Sequence, residues 1–121
     1  MIYKQLDLES DPIKQGFEEA QYDIIVAGSV LHATSDVKAT LRNVRKLSKP
    51  LGRLVFIEMN QAVEWMNIMW GLLPGWWLSK EPWRLHSPLA TEDQWNRLLL
   101  ETGFTGNDIV IKDNETASHH I

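Results

Sequence analysis

Residues 23–34 run Asp-Ile-Ile-Val-Ala-Gly-Ser-Val-Leu-His-Ala-Thr, and residues 49–60 run Lys-Pro-Leu-Gly-Arg-Leu-Val-Phe-Ile-Glu-Met-Asn. Each stretch contains a short apolar run rich in β-branched residues, Ile24–Ala27 in the first and Leu54–Ile57 in the second. The segment between the two runs has an amphipathic, helix-like pattern. Continuous apolar strands of this kind are typical of a parallel sheet covered on both faces, so the sequence predicts a β-α-β unit.

Each predicted strand is followed by a side chain with useful chemistry. His32 comes shortly after the first strand, and Glu58 follows the second directly. Ligands of open α/β sheets bind at the carboxyl ends of the strands. If the strands are neighbours, His32 and Glu58 share one rim and form a candidate catalytic pair. The alternatives are a loop histidine and a solvated carboxylate at a strand end.

Length and composition exclude several classes of protein. The chain has 121 residues and is predicted to form one domain over residues 1–121, with residues 113–121 as a loose tail. A formal net charge of −4 without a Lys/Arg cluster argues against a nucleic-acid surface, and the lack of cysteine excludes thiolate sites and disulfides. No signal peptide is recognised and no apolar run approaches the ~20 residues of a membrane span, so a cytoplasmic protein is expected.

Local signals predict the remaining elements. Residues Ile2–Leu8 form a weak strand pattern, and Asp108–Lys112 a last strand. A helix capped by Ser35 or Asp36 is expected to run to about Leu47. Another is expected over 94–102, because Thr91 and Gln94 have the spacing of a capping box and Gly103 follows as a stop signal.

The segment from Trp65 to Trp77, called here the tryptophan-rich segment, has more apolar surface than one core contact requires. It is predicted to be helical up to Gly71 or Pro74, and it would be core, an oligomer interface or the pocket for an extended acyl chain. The candidate pocket residues are Ser29, Trp65, Met69, Trp70, Trp76, Trp77 and His86. No metal site is predicted, since the pair His119-His120 lies in the expected tail.

The order of short motifs resembles the C-terminal half of class I S-adenosylmethionine (SAM) methyltransferases. Within that class the chain is most similar to the C-methyltransferase domains of fungal iterative polyketide synthases. The matching stretches are Leu6-Asp7, Asp11-Pro12, Gln15-Gly16-Phe17, Tyr22-Asp23, Val30-Leu31-His32-Ala33-Thr34, Asn43-Val44-Arg45-Lys46-Leu47, Lys49-Pro50, Gly52, Glu58, Gly71-Leu72-Leu73-Pro74-Gly75-Trp76-Trp77, Ser87-Pro88-Leu89, Gln94-Trp95 and Thr102-Gly103-Phe104. They extend over nearly the whole chain.

The resemblance implies an α/β fold: a truncated, Rossmann-like methyltransferase domain with a mostly parallel sheet and flanking helices. It also implies that His32 and Glu58 form the dyad that deprotonates a carbon between two carbonyls. In the family, the Gly-rich loop and the acidic residue that hold SAM precede the matched region, and these 121 residues contain no G-x-G. Asp7 matches a position near the adenine. We therefore expect no SAM binding by this chain alone, and SAM binding only if the missing half is supplied.

The resemblance also bears on assembly. The family places two strands between those matching Ile2–Leu6 and Ile24–Ala27, and neither lies in this sequence. An unpaired apolar strand edge is prone to association. Either Ile2–Leu6 moves inward to pair with Ile24–Ala27, or a second copy supplies the neighbour. The apolar surplus of the tryptophan-rich segment favours the second solution, a homodimer.

Three functional hypotheses follow. In the first, an enzyme of polyketide metabolism uses the His32–Glu58 dyad for SAM-independent proton transfer, in a cyclisation, isomerisation, dehydration or aldol-type closure of a polyketide-type, possibly carrier-bound substrate. In the second, the chain is part of a genuine SAM-dependent C-methyltransferase. In the third, it is a non-catalytic dimerising remnant.

Overall fold

The computed structural model describes residues 1–60 and 64–112. Its strands and helices are β1 (Tyr22–Gly28), α1 (Val37–Leu47), β2 (Ser48–Ile57), α2 (Glu64–Trp70) and α3 (Glu92–Glu101). Short 3₁₀ turns occupy Leu31–Ala33, Pro74–Trp77 and Pro82–Arg84. The predicted β-α-β unit is therefore confirmed as β1-α1-β2.

β1 and β2 form a two-stranded parallel sheet in which Ile25 lies opposite Leu54 and Gly28 lies opposite Ile57. The register shifts near the start of the pair, between Tyr22 and Ile24. Gly52 lies at this irregularity, where a β-carbon would come within 2.9 Å of the Tyr22 carbonyl oxygen. The close backbone approach therefore requires glycine at position 52.

The capping residues of α1 and α3 are those that the sequence predicts, although α3 begins at Glu92, two residues before the predicted start. Asp36 caps α1 and accepts a hydrogen bond from the Ala39 N–H at 2.9 Å, while Thr91 and Gln94 form a complete capping box at the start of α3. Gly103, with φ of 92°, follows the end of α3 as expected. Both helices have an apolar face because their buried residues recur at helical spacing.

The core lies on one face of the sheet. It consists of buried residues from β1, α1, α3 and the connecting turns, namely Ala27, Leu31, Val37, Leu41, Val44, Ala90, Trp95, Leu98 and Leu99. Ile25, Leu54 and Phe56 pack against this cluster from the sheet. The alternate residues of the strands, which include Ile24, Val26, Val55 and Ile57, are 50–71% exposed. The expectation of a sheet covered on both faces is therefore wrong for the described residues.

Two predicted strands do not form. Residues 2–8 have no strand pairing, and neither do residues 108–112, so both strand predictions are wrong. No neighbouring strand pairs with the backbone of either segment, and an apolar sequence pattern does not form a strand without such a partner. The predicted tail and His119-His120 lie outside the described residues. Within the described ranges, no helix is long and apolar enough to cross a membrane, and no cluster of three metal-ligating side chains occurs.

Candidate active site

The ends of the two paired strands bring His32 and Glu58 together. The Ser29 N–H donates to the Ile57 carbonyl at 2.8 Å and so continues the pairing one residue beyond β1. The chain then forms the 3₁₀ turn Leu31–Ala33, which carries His32, while Glu58 directly follows β2. Parallel pairing therefore places both side chains on the same rim of the sheet.

The His32 Nδ1 atom is hydrogen-bonded to Glu58 Oε2. The second carboxylate oxygen, Oε1, accepts from the backbone N–H groups of Val30 at 3.1 Å and Leu31 at 2.8 Å. The Glu58 side chain is 2% exposed and the His32 side chain 13% exposed. A carboxylate held in this way fixes the imidazole ring and favours the tautomer with the proton on Nδ1. The lone pair is then on Nε2.

Arg84 is a site-associated residue that the sequence analysis missed. Its guanidinium is fully buried and donates to the carbonyl oxygens of His32 at 2.9 Å and Thr34 at 2.8 Å. It also forms an ion pair with Glu81. Arg84 lies in the irregular stretch between the tryptophan-rich segment and α3, where it has no periodic pattern. Its partners are distant in sequence, so only the fold brings them together.

The other candidate residues lie in different surroundings. Ser29 is exposed, with φ of 50°, between β1 and the turn of His32. His86 is exposed and is not among the hydrogen-bond partners of His32. Within the described residues, neither side chain forms a hydrogen bond with His32 or Glu58. Their assignment to a substrate pocket stays a prediction.

The tryptophan-rich segment is mostly exposed. Trp65, Met69, Trp70 and Trp77 are 43–57% exposed, whereas Trp76 is buried. The indole N–H of Trp76 donates to Asn67 Oδ1 at 3.1 Å, and that of Trp77 donates to the Gly71 carbonyl at 2.8 Å. These bonds fold the turn after α2 back onto the helix. Its role as a pocket wall also stays a prediction.

The surface of the described residues has two open clefts, and both are lined by residues outside the dyad. The larger, of about 500 Å³, has a basic wall and is lined by Glu19, Ala20, Arg42, Arg45, Lys46, Ser48, Pro50 and Thr102. The smaller, of about 280 Å³, is lined by Lys4, Leu6, Phe17, Tyr22, Ile24, Ile25 and Leu47. Both include residues at the beginnings of the strands, and neither includes the dyad.

Comparisons with known proteins agree on one family. Residues 3–108 match the model of a methyltransferase domain. The chain is 50% identical over 115 residues to the compactin diketide synthase of Penicillium citrinum, an alignment that spans 95% of this chain but only 4% of that protein.

Solved structures give the same result. The trans-methyltransferase CalH, in complex with SAH, superposes with a TM-score of 0.80 at 42% identity over 86% of this chain and 29% of that one. The C-methyltransferase (CMeT) domain of the citrinin polyketide synthase superposes with a TM-score of 0.76 at 31% identity over 85% of this chain and 26% of that one. The chain thus corresponds to under a third of the solved relatives.

The predicted cofactor contact takes part in a local turn. Asp7, the predicted cofactor contact, is exposed, and its carboxylate accepts from the Ser10 hydroxyl at 2.7 Å and the Glu9 N–H at 3.0 Å. The Ser10 hydrogen bond is the main cause that holds the pKa of the Asp7 carboxyl below its usual value. This carboxylate closes a local turn, and neither cleft is lined by it.

Proposed function

Because the chain belongs to the methyltransferase-domain family and is related to the C-methyltransferase domains of polyketide synthases, we propose that His32 and Glu58 remove a proton from an activated carbon of a polyketide-type substrate. The observation that carries the proposal is the hydrogen bond from His32 Nδ1 to the buried Glu58 carboxylate. The carbon lies between two carbonyl groups, which make its C–H bond acidic.

Each group of the dyad has a defined task in this reaction. His32 Nε2 accepts the proton as the C–H bond breaks, and the electron pair of that bond moves onto the carbonyl oxygen to give an enolate. The imidazolium that results is stabilised by the negative charge of Glu58. Glu58 keeps its position because Oε1 is held by the amides of Val30 and Leu31.

The two enzymatic hypotheses drawn from the sequence differ in the reaction that the enolate undergoes next. In the SAM-independent one it attacks an electrophilic carbon of the same substrate or is reprotonated, which gives cyclisation or isomerisation. The second candidate function is methyl transfer in a longer protein, and it is favoured by the solved relative CalH, a trans-methyltransferase in complex with SAH. Calorimetry of the 121-residue chain with SAM tests the second candidate: micromolar binding supports methyl transfer, whereas no binding excludes methyl transfer by this chain alone.

The proposed proton transfer is tested by deuterium exchange. A short 3-oxoacyl thioester is incubated with the chain in deuterated buffer, and exchange at the carbon between its carbonyls is followed by proton NMR above the buffer rate. His32→Gln removes the base, so we expect the catalysed rate to fall about 100-fold or more. Arg97→Gln is the control, since Arg97 is exposed on α3 and belongs neither to the dyad nor to the candidate pocket. An unchanged rate in His32→Gln would exclude the proposed base.

A second copy of the chain is the proposed macromolecular partner, and a carrier-bound polyketide-type acyl group is the proposed substrate. The dimer is supported by the exposed apolar face of the sheet and by the exposed side chains of the tryptophan-rich segment. A two-fold dimer would bury the same patches on both subunits.

A further inference from the structure

Arg84 is the most deeply buried cation near the dyad. Its side chain is 0% exposed, although arginine is almost never fully buried unless it is paired. Glu81 supplies the counter-charge, with its Oε2 at 2.6 Å from Nη2 and 2.7 Å from Nε. A charge held at such a position has a large desolvation cost, so its surroundings must satisfy it well.

The guanidinium makes four hydrogen bonds and one ion pair. Nε donates to Glu81 Oε2, and Nη2 lies 2.6 Å from the same oxygen and donates to the Thr34 carbonyl at 2.8 Å. Nη1 donates to the carbonyls of His32 at 2.9 Å and Pro88 at 2.8 Å. The planar fork of arginine matches this set of acceptors, and a lysine ammonium does not reproduce it.

The turn that carries His32 is consequently held at both ends by opposite charges. At its start, the N–H groups of Val30 and Leu31 donate to the Glu58 carboxylate. At its end, the carbonyls of His32 and Thr34 accept from the Arg84 guanidinium. This order agrees with the local dipole of the turn, whose amide end attracts an anion and whose carbonyl end attracts a cation.

We propose that Arg84 is the positioning residue of the dyad: by holding the carbonyls of His32 and Thr34, it fixes the backbone from which the His32 imidazole reaches Glu58. The inference rests on the proposed function of His32 as a base. It assigns a role to residues 81–88, because the turn Pro82–Arg84 and the Pro88 carbonyl then act as the support of the catalytic turn. Arg84 lies outside the stretches that carry the family resemblance.

The test uses Arg84→Lys, which retains the positive charge and loses the fork. A proton on Nδ1 in a hydrogen bond to a carboxylate gives a strongly downfield NMR signal, so His32 reports its own geometry without substrate. We expect this signal to shift or broaden in Arg84→Lys, and the catalysed deuterium exchange to fall about tenfold or more, because small misplacements of a catalytic group are costly. Arg97→Lys, at an exposed position of α3, is the control and leaves both unchanged.

A merely structural role for Arg84 predicts a lower unfolding midpoint with an unchanged His32 signal and unchanged exchange in the folded protein, and that result would overturn the proposal. If Arg84→Lys does not fold, Glu81→Gln is measured instead, since it weakens the orientation of the guanidinium and leaves all three carbonyl acceptors. A displaced His32 signal in Glu81→Gln supports the proposal, and an unchanged one overturns it. If the parent chain catalyses no exchange, the proposed function fails, while the signal still decides the role of Arg84.

Discussion

Ser29 is the residue at which the backbone leaves β1 and turns toward His32. Its φ of 50° lies in the left-handed region, which is costly for residues with a β-carbon. Its N–H is nevertheless bonded to the Ile57 carbonyl, so the conformation is fixed by the pairing of the strands. Strain of this kind persists only where the surrounding structure imposes it, and here it lies three residues before the candidate base.

Ser29→Gly is therefore expected to raise the free energy of unfolding by about 0.5–1 kcal/mol, since the relief of left-handed strain exceeds the entropy cost of glycine. Urea unfolding followed by tryptophan fluorescence measures it. Val30→Gly is the matched control, because Val30 has φ of −127° and gains nothing from glycine, so it should lose stability. Equal losses in the two variants would show that the conformation of Ser29 carries no strain.

Among the elements, the helices were predictable because their signals are local. The cap of α1 at Asp36 and the capping box of α3 at Thr91 involve residues only three positions apart, and both occur as expected. The strand over Ile2–Leu8 was predicted wrongly, since a strand exists only when a neighbour satisfies its backbone. The contact of His32 with Glu58 follows from the ends of two paired strands, whereas Arg84 has acceptors up to 52 residues away and no pattern in sequence indicates them.

α1 buries a threonine hydroxyl that has no hydrogen-bond partner in the part of the chain that the structure describes. Thr40 is 0% exposed, and its Oγ1 is unsatisfied. Thr102, at the end of α3, is also buried, but its hydroxyl donates to the Leu98 carbonyl at 2.7 Å. The two residues form a matched pair in which burial is similar and hydrogen bonding differs.

Thr40→Val is expected to raise the free energy of unfolding by about 1 kcal/mol, because an unpaired buried hydroxyl is replaced by a methyl group of the same shape. Thr102→Val is expected to lower it by about 1 kcal/mol, because a hydrogen bond is lost. Equilibrium unfolding in urea compares both with the parent chain. A loss of stability in Thr40→Val would mean that the hydroxyl has a partner in the folded protein.

In the whole molecule, α1 and α3 pack on the same face of the two-stranded sheet, and the opposite face is apolar and open. Ile24, Val26 and Ile57 on that face are 61–71% exposed. β1 is paired only with β2 within the described residues, so its other edge has backbone groups without a strand partner. A contiguous exposed apolar surface next to an unpaired edge favours association.

We therefore expect the chain to form a homodimer in solution, with a mass of about twice 14.0 kDa by light scattering at micromolar concentration. Pairing of β1 with its copy across a two-fold axis would satisfy both edges, and exposed residues of the tryptophan-rich segment such as Trp70 would extend the interface.

Val26→Lys and Trp70→Lys place a charge in this surface and should each weaken the dimer. Leu100→Lys is the control, because Leu100 is 55% exposed on α3, away from the sheet face, and should leave the mass unchanged. A 14.0 kDa monomer of the parent chain at this concentration would contradict the dimer, and equal effects of all three variants would show that the association is not localised to the open sheet face and the tryptophan-rich segment.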